Sequence, residues 1–254
     1  GMNKFKEKIQ NGEAVLGTFI ELNNPAIGQI AGMAGYDFVI LDGEHGEIAV
    51  EDAADLARAA ALAGTAAIFR VNANDTTLIG KVLDCGADGV EIPEIGSAAE
   101  AQKAINGAKF TPEGERGCNR FVQAGEYGRM TSDQFFGESN AKTIVVLQVE
   151  GQDGVNNLPE ILKVKGTDVV FIGPYDLSAS LGVPGQTEHP KVLEQIDKIL
   201  VMGKEQGVAI GLYVDSIESA IAWKKRGVQY LALQTDTVSL YQHFKANTDK
   251  FHAE

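Results

Sequence analysis

Glu150 and Asp176 stand just past two short apolar runs, Thr143 to Val149 and Val169 to Ile172, the second followed by Gly173-Pro174-Tyr175. Two carboxylates at the ends of neighbouring strands are oxygen ligands suited to a hard divalent cation that keeps several of its waters. The plainer alternative is a pair of solvated carboxylates or helix caps, and Asp176 is placed to cap the turn that follows it. His45 comes after Asp42-Gly43-Glu44, where a histidine can serve as a general base near neutral pH or merely pair with a nearby carboxylate. Arg70, in Phe69-Arg70-Val71-Asn72, would bring an always-charged, five-donor group that suits an enolate or a carboxylate; alternatively it neutralises Glu44 or Glu150. Gly173-Pro174 reads as a tight turn into a helix start, whose backbone N–H groups favour a carboxylate, although Gly-Pro turns are common. No cluster of cysteines or histidines suggests a structural zinc. No apolar run carries a lysine in its interior or at its C-terminal end: Lys142 precedes one run, and Lys163 and Lys165 precede another. Imine chemistry, which needs a desolvated amine on a strand, is therefore disfavoured.

These residues need a scaffold that brings strand ends together, and one repeats along the chain. A helical stretch, a glycine and a short apolar run recur at Gly35 before Phe38 to Leu41, Gly64 before Ala66 to Val71, and Gly86 before Gly89 to Ile92. The pattern returns at Gly166 before Val169 to Ile172, Gly207 before Val208 to Tyr213, and Gly227 before Gln229 to Leu233. A glycine just past a helix takes the left-handed conformation cheaply, and the next strand begins at once. With Ala14 to Ile20 and Thr143 to Val149, eight strands are predicted, apolar on both parities as in a parallel sheet covered by helices. Helical spacing lies between them at Val50 to Ala63, Ser97 to Asn106, Pro190 to Gln206 and Ser216 to Arg226. Eight such units in 254 residues predict a (β/α)₈ barrel, whose chemistry gathers at the C-terminal ends of the strands. An open doubly wound sheet would need fewer strands and a glycine-rich fingerprint after the first, which is absent. No domain boundary stands out, so residues 1–254 read as a single barrel domain. Ala108 to Asn140 fits no unit and reads either as a functional loop or lid or as a local insertion that packs on a neighbour.

Bulk properties narrow the partners. The net charge of −13, from 35 acidic and 22 basic residues, repels a phosphate backbone and argues against nucleic-acid binding. No stretch approaches the roughly 18 apolar residues of a membrane span. Two cysteines, Cys85 and Cys118, offer no disulfide framework, which fits a reducing compartment. Gly1-Met2-Asn3-Lys4 lacks an apolar signal region, and Gly1 looks like a scar of tag removal; a cytoplasmic location is expected.

Taken together, three segments resemble the HpcH/HpaI aldolases, the class II pyruvate aldolases. They are Asp37 to His45, Gln148-Val149-Glu150 with Asn157-Leu158-Pro159 behind it, and Phe171 to Ser178; Arg70-Val71-Asn72 with Asn74-Asp75, and Pro112 to Gly117, follow the same order. The likeness runs from Leu16 to Thr237. It implies a TIM barrel of the phosphoenolpyruvate/pyruvate-binding type with a divalent cation, Mg²⁺, Mn²⁺ or Co²⁺, held by Glu150 and Asp176. It implies a pyruvate-binding set of Gln148 with Gly173, Tyr175 and Asp176, His45 as base, and Arg70 as the group that stabilises the enolate. It further implies that Asp84 raises the basicity of the histidine, within a homo-hexamer built as a dimer of trimers. Asp84 falls near the C-terminus of a helix and so at the barrel's opposite end; the expectation is that it reaches His45 of the partner subunit. Tyr175 stands where a small residue is frequent, Tyr213 where an aliphatic is frequent, and Arg116 to Arg120 is bulkier and more polar than usual, which leaves the aldehyde open.

The reaction expected is reversible cleavage of a 4-hydroxy-2-oxo acid to pyruvate and an aldehyde. A CoA-ester lyase or an oxaloacetate decarboxylase would need a similar barrel and enolate, and a ligand-binding or scaffold barrel that retained the metal site is the non-enzymatic alternative.

Overall fold

Eight parallel strands close on themselves in a computed structural model that describes residues 4–254. They are β1 (Val15–Ile20), β2 (Phe38–Asp42), β3 (Ala66–Arg70), β4 (Gly89–Ile95), β5 (Ile144–Val149), β6 (Val169–Ile172), β7 (Ala209–Val214) and β8 (Tyr230–Thr235), each paired with the next and β8 with β1. The predicted barrel is thus present, with all eight strands within a few residues of their predicted bounds. Gly1 to Asn3, on which the signal and tag readings rest, lie outside the described residues. All six glycines singled out by the repeat have positive φ, from 69° at Gly207 to 117° at Gly227; five of them end helices as expected, while Gly166 sits in a turn beyond the end of the helix Leu158–Leu162.

Apolar residues on both parities build two cores. Val39, Leu41, Ala67, Phe69, Val145 and Leu147 face outward into the layer between strands and helices. Phe19, Phe38, Ile40, Ile68, Val146, Phe171 and Tyr230 fill the barrel. The helix Lys4–Gln10 places Phe5 against the floor, its ring 5.2 Å from that of Phe38, which stacks on Tyr230 at 4.3 Å. Gly17 lies opposite Phe38 in the β1–β2 register, and a Cβ there would overlap the Phe38 ring. Gly17→Ala is therefore expected to destabilise the protein by about 1–3 kcal/mol through overpacking, read as a lower Tm; an unchanged Tm would contradict this packing.

The segment that fitted no repeat unit contains a kinked pair of short turns over Gln123–Gly128, with Glu126 and Tyr127 in the left-handed region, and a helix, Ser132–Lys142. The helix escapes sequence reading because its polar residues and Gly137 leave Phe135 as its buried side chain. Phe110 and Phe135 meet edge to face at 5.3 Å, and Asn140 pairs with both the N–H and the carbonyl of Phe110. Lys109 donates to the carbonyls of Asn140 and Thr143 at 2.7 and 3.0 Å. Because the segment runs from a helix C-terminus to a strand start, it covers the bottom of the barrel, and it is not a lid over this chain's strand C-termini. Among the described residues no helix is long and apolar enough to cross a membrane.

Candidate active site

The barrel interior turns polar where the strands end. Side chains alternate along a strand, so the inward set of Phe38 and Ile40, Ala66 and Ile68, and Ile144 and Val146 continues into Asp42, Arg70 and Gln148 at the mouth. Arg70 is opposite Asp42 on one side and Glu91 on the other.

Arg70 is held from several directions. Its Nε and Nη2 donate to Oδ1 and Oδ2 of Asp42 at 2.9 and 2.7 Å, and its Nη1 donates to Gln148 Oε1 at 3.2 Å. Glu44 Oε1 lies 3.5 Å from the same Nη1, and the guanidinium carbon sits 4.6 Å above the Phe19 ring. A guanidinium so gripped is a fixed, permanent positive charge at the strand ends. Asp42, with no exposed surface, also accepts the backbone N–H groups of Glu44 and His45 at 3.0 and 3.2 Å, which folds the following loop over the barrel mouth. Burial opposes its charge, yet hydrogen bonds from Arg70 and Glu21 and the Arg70 charge hold its carboxyl below the usual range.

The surplus of carboxylates is felt by its neighbours. Burial, then the hydrogen bond and charge of Asp42, push Glu21 up to about 8 against the opposing charge of Arg70. Glu44 is also raised, first by burial and then by Glu150 and Asp42, against Arg70 and His45.

Glu150 and Asp176 follow β5 and β6, which are hydrogen-bonded neighbours. Glu150 occupies the N-cap of the helix Gly151–Asn156 and Asp176 the first turn of Pro174–Ser180, yet neither helix has a side-chain cap bond. Capping therefore does not explain either carboxylate. Gln148 Nε2 donates to Glu150 Oε1. The Asp176 carboxylate folds back over Gly173, where a Cβ would meet Oδ2 at 3.0 Å, so this cradle requires glycine or a shift of the carboxylate. Among the described residues no three His, Cys, Asp or Glu side chains form a closed cage. Two carboxylates at neighbouring strand ends, beside a mouth rich in negative charge, fit a hard divalent cation that fills its other positions with water and substrate; they do not fit a structural zinc.

His45 is 73% exposed, with Nε2 3.1 Å from Glu44 Oε1. Tyr175 is exposed and Gln148 is buried. The structure thus brings His45, Arg70, Gln148 and Glu150 around one mouth, with Gly173, Tyr175 and Asp176 at the adjoining end of β6. It does not bring Asp84 there. Asp84 ends the helix Thr76–Asp84 just before β4 and accepts a hydrogen bond from Arg116 Nη2 at 2.7 Å, on the bottom of the barrel.

Glu21, Asp42, Glu44 and Glu91 were not assigned roles from sequence. Inward parity at a strand end marks Asp42 and Glu21, but the register that sets Asp42 beside Arg70 is not written in either segment alone. Glu91 is wholly buried beneath Arg70, and Tyr230 Oη donates to its Oε1 at 3.3 Å. Burial pushes it up from an ordinary 4.5 to about 8, the Arg70 charge and the Tyr230 hydrogen bond opposing. The stability gained by keeping its proton is complete below about 4.5 and is lost as pH rises through about 8. Glu91→Gln, neutral throughout, is therefore expected to gain in Tm relative to the parent protein as pH rises from 5 to 8, the gain corresponding to a few kcal/mol, on the order of the linkage. A Tm difference that does not change with pH would contradict the buried acid.

A family model described as HpcH/HpaI aldolase/citrate lyase matches residues 16–242. The 2-keto-3-deoxy-L-rhamnonate aldolase of Escherichia coli strain K12 is 33% identical over 240 residues, covering 93% of this chain and 88% of that one. The crystal structure of an HpcH/HpaI aldolase from Desulfitobacterium hafniense DCB-2 superposes with a TM-score of 0.89 at 33% identity, covering 100% of this chain and 98% of that one. The crystal structure of the citrate synthase SbnG superposes with a TM-score of 0.83 at 29% identity, covering 98% and 97%.

Proposed function

The chain belongs to the HpcH/HpaI aldolase/citrate lyase family, a family of carbon–carbon lyases, and from that premise we propose that it cleaves a 4-hydroxy-2-oxo acid reversibly to pyruvate and an aldehyde. The observation that carries this reading is the Arg70 guanidinium, locked on Asp42 and Gln148 at the strand ends where Glu150 and Asp176 stand without capping a helix.

A divalent cation held by Glu150 and Asp176, Mg²⁺, Mn²⁺ or Co²⁺, supplies a Lewis acid when bound. The chain's own residues do the rest. Gln148 and the backbone at Gly173, Tyr175 and Asp176 seat the pyruvate half; Gln148 is oriented for this by accepting from Arg70 and donating to Glu150. His45, through a water, takes the proton of the C4 hydroxyl. The C3–C4 bond then breaks, its electron pair stays on C3 as the pyruvate enolate, and the aldehyde leaves. Arg70 stabilises the negative charge of that enolate; its position is already fixed before the charge develops, so little reorganisation is needed. Asp84 raises the basicity of His45 of the partner subunit, a contact that one chain cannot make. A homo-hexamer would supply it, and the exposed Tyr241, Phe244 and Phe251 of the last helix, Asp236–Ala253, offer apolar surface for a second copy to cover. The same reading places the protein in the cytoplasm, acting on small molecules.

The likeness to a citrate synthase favours one second reading, a lyase acting on a CoA ester or a 2-oxo dicarboxylate at the same enolate site. Chelated protein, reconstituted with each cation, distinguishes them. Metal-dependent release of pyruvate from a 4-hydroxy-2-oxo acid is expected; turnover of acetyl-CoA with a 2-oxo acid, and no pyruvate release, would overturn the aldolase reading.

A further inference from the structure

Glu21 follows β1 and continues the inward parity of Val15 and Phe19. It is fixed in place: its N–H and that of Leu22 donate to Asp236 Oδ1 and Oδ2 at 2.8 and 3.1 Å, and its carbonyl accepts from Glu47 N–H at 2.8 Å. Its carboxyl lies over Gly46, where a Cβ would come 2.9 Å from Oε2, and it is hydrogen-bonded to the Asp42 carboxylate. Two carboxyl groups cannot share a hydrogen bond unless one carries a proton. Asp42 already accepts from Arg70, Glu44 and His45, a set of donors that favours its ionised form, so the proton belongs to Glu21.

We infer that Glu21 is a neutral carboxylic acid whose single proton, directed at Asp42 in the free protein, turns to the carbonyl oxygen of the second substrate when that substrate binds, Asp42 keeping its bonds from Arg70, Glu44 and His45, and that this substrate is an uncharged aldehyde rather than an aldehyde bearing a carboxylate. The inference rests on the pyruvate half occupying the β5–β6 side of the mouth, which leaves the β1–β7–β8 side for the aldehyde. The groups facing Glu21 are Asp42 from β2, Arg70 from β3, Asp236 from the start of the last helix, and Tyr213 from β7, itself hydrogen-bonded to Asp215. Arg70 is the cation of that set and is already held by Asp42. A second carboxylate would meet net negative charge there, whereas an uncharged carbonyl oxygen meets a donor. Glu21 remains protonated through the cycle and transfers nothing.

The test compares kcat/KM for glycolaldehyde and for glyoxylate in the condensation with pyruvate, across pH 6 to 9.5. The parent protein is expected to prefer glycolaldehyde by at least about tenfold, because like charges placed together are penalised. Its kcat/KM for glycolaldehyde should fall above a pH of about 8, where Glu21 loses its proton. Glu21→Ala should lower that constant by on the order of 10² at pH 7, the effect of removing one such donor. Glu21→Gln, which retains a donor and cannot ionise, should recover most of the loss and should lack the alkaline fall. Equal use of glyoxylate overturns the substrate class. An alkaline fall kept by Glu21→Gln, or parent-level efficiency in Glu21→Ala, overturns the role of the acid. Exchange of pyruvate methyl protons by the parent protein without aldehyde separates the two readings. If exchange is absent, the pyruvate reading fails; if exchange is present and the Glu21 results are negative, only this inference fails.

Discussion

Arg70→Ala is expected to lower kcat/KM for aldol cleavage by about 10²–10³, the usual loss when one preorganised electrostatic donor is removed from a developing oxyanion. The drop should fall on kcat as well as KM, because the enolate charge that Arg70 meets exists only after the bond begins to break. A second consequence follows from its partners. Asp42 has no exposed surface and takes two hydrogen bonds from the guanidinium, so alanine strands a buried carboxylate. Breaking one side of a buried pair costs roughly 3–5 kcal/mol, and Tm should fall, with the protein still folded by circular dichroism. Arg70→Lys separates the effects. Lysine returns a positive charge to Asp42 but cannot reproduce the fork that reaches Asp42 and Gln148 together, so it should recover stability more fully than rate. Parent-level turnover in the alanine variant would remove Arg70 from the chemistry.

The second large effect is expected at the two carboxylates. Glu150→Gln and Asp176→Asn are each expected to reduce metal-stimulated turnover by on the order of 10³ or more, because Lewis-acid stabilisation is worth several kcal/mol and each tenfold in rate is about 1.4 kcal/mol. Neither side chain caps its helix, so both variants should keep the parent Tm in the absence of metal. A stabilising shift in Tm on adding Mn²⁺ should appear in the parent protein and be lost in both variants. Glu150→Gln retaining that shift would remove Glu150 from the ligand set, and full metal-stimulated turnover in Asp176→Asn would do the same for Asp176.

Much of the scaffold was legible because its physics is local. A glycine after a helix and an apolar run after the glycine depend on neighbouring residues alone, and all six repeat glycines adopt the positive φ this requires. Residues at the strand ends, His45, Arg70, Gln148 and Glu150, could be placed near the mouth from order and parity. What escaped depended on register and distance. Arg70 was expected to meet Glu44 or Glu150 if it served only as a neutraliser; its principal partner is Asp42, because β2 and β3 pair with those residues opposite each other. Glu21 is pushed up first by burial at the mouth and then by contact with Asp42 on another strand, and Glu91 becomes an acid because closure of the barrel buries it; neither is written in a single segment. The helix Ser132–Lys142 was missed because a short polar helix with Phe135 as its buried anchor carries little periodicity. Asp84 shows the reverse: its position in the repeat placed it correctly on the bottom of the barrel, where it meets Arg116.

Exchange of pyruvate methyl protons for deuterium, followed by NMR in the absence of any aldehyde, reads enolate formation directly. With Mg²⁺, Mn²⁺ or Co²⁺ present, the methyl signal should decay well above the buffer rate, and a chelator or Glu150→Gln should stop the decay. Exchange no faster than buffer with every cation, from folded protein, would contradict a pyruvate enolate at this site.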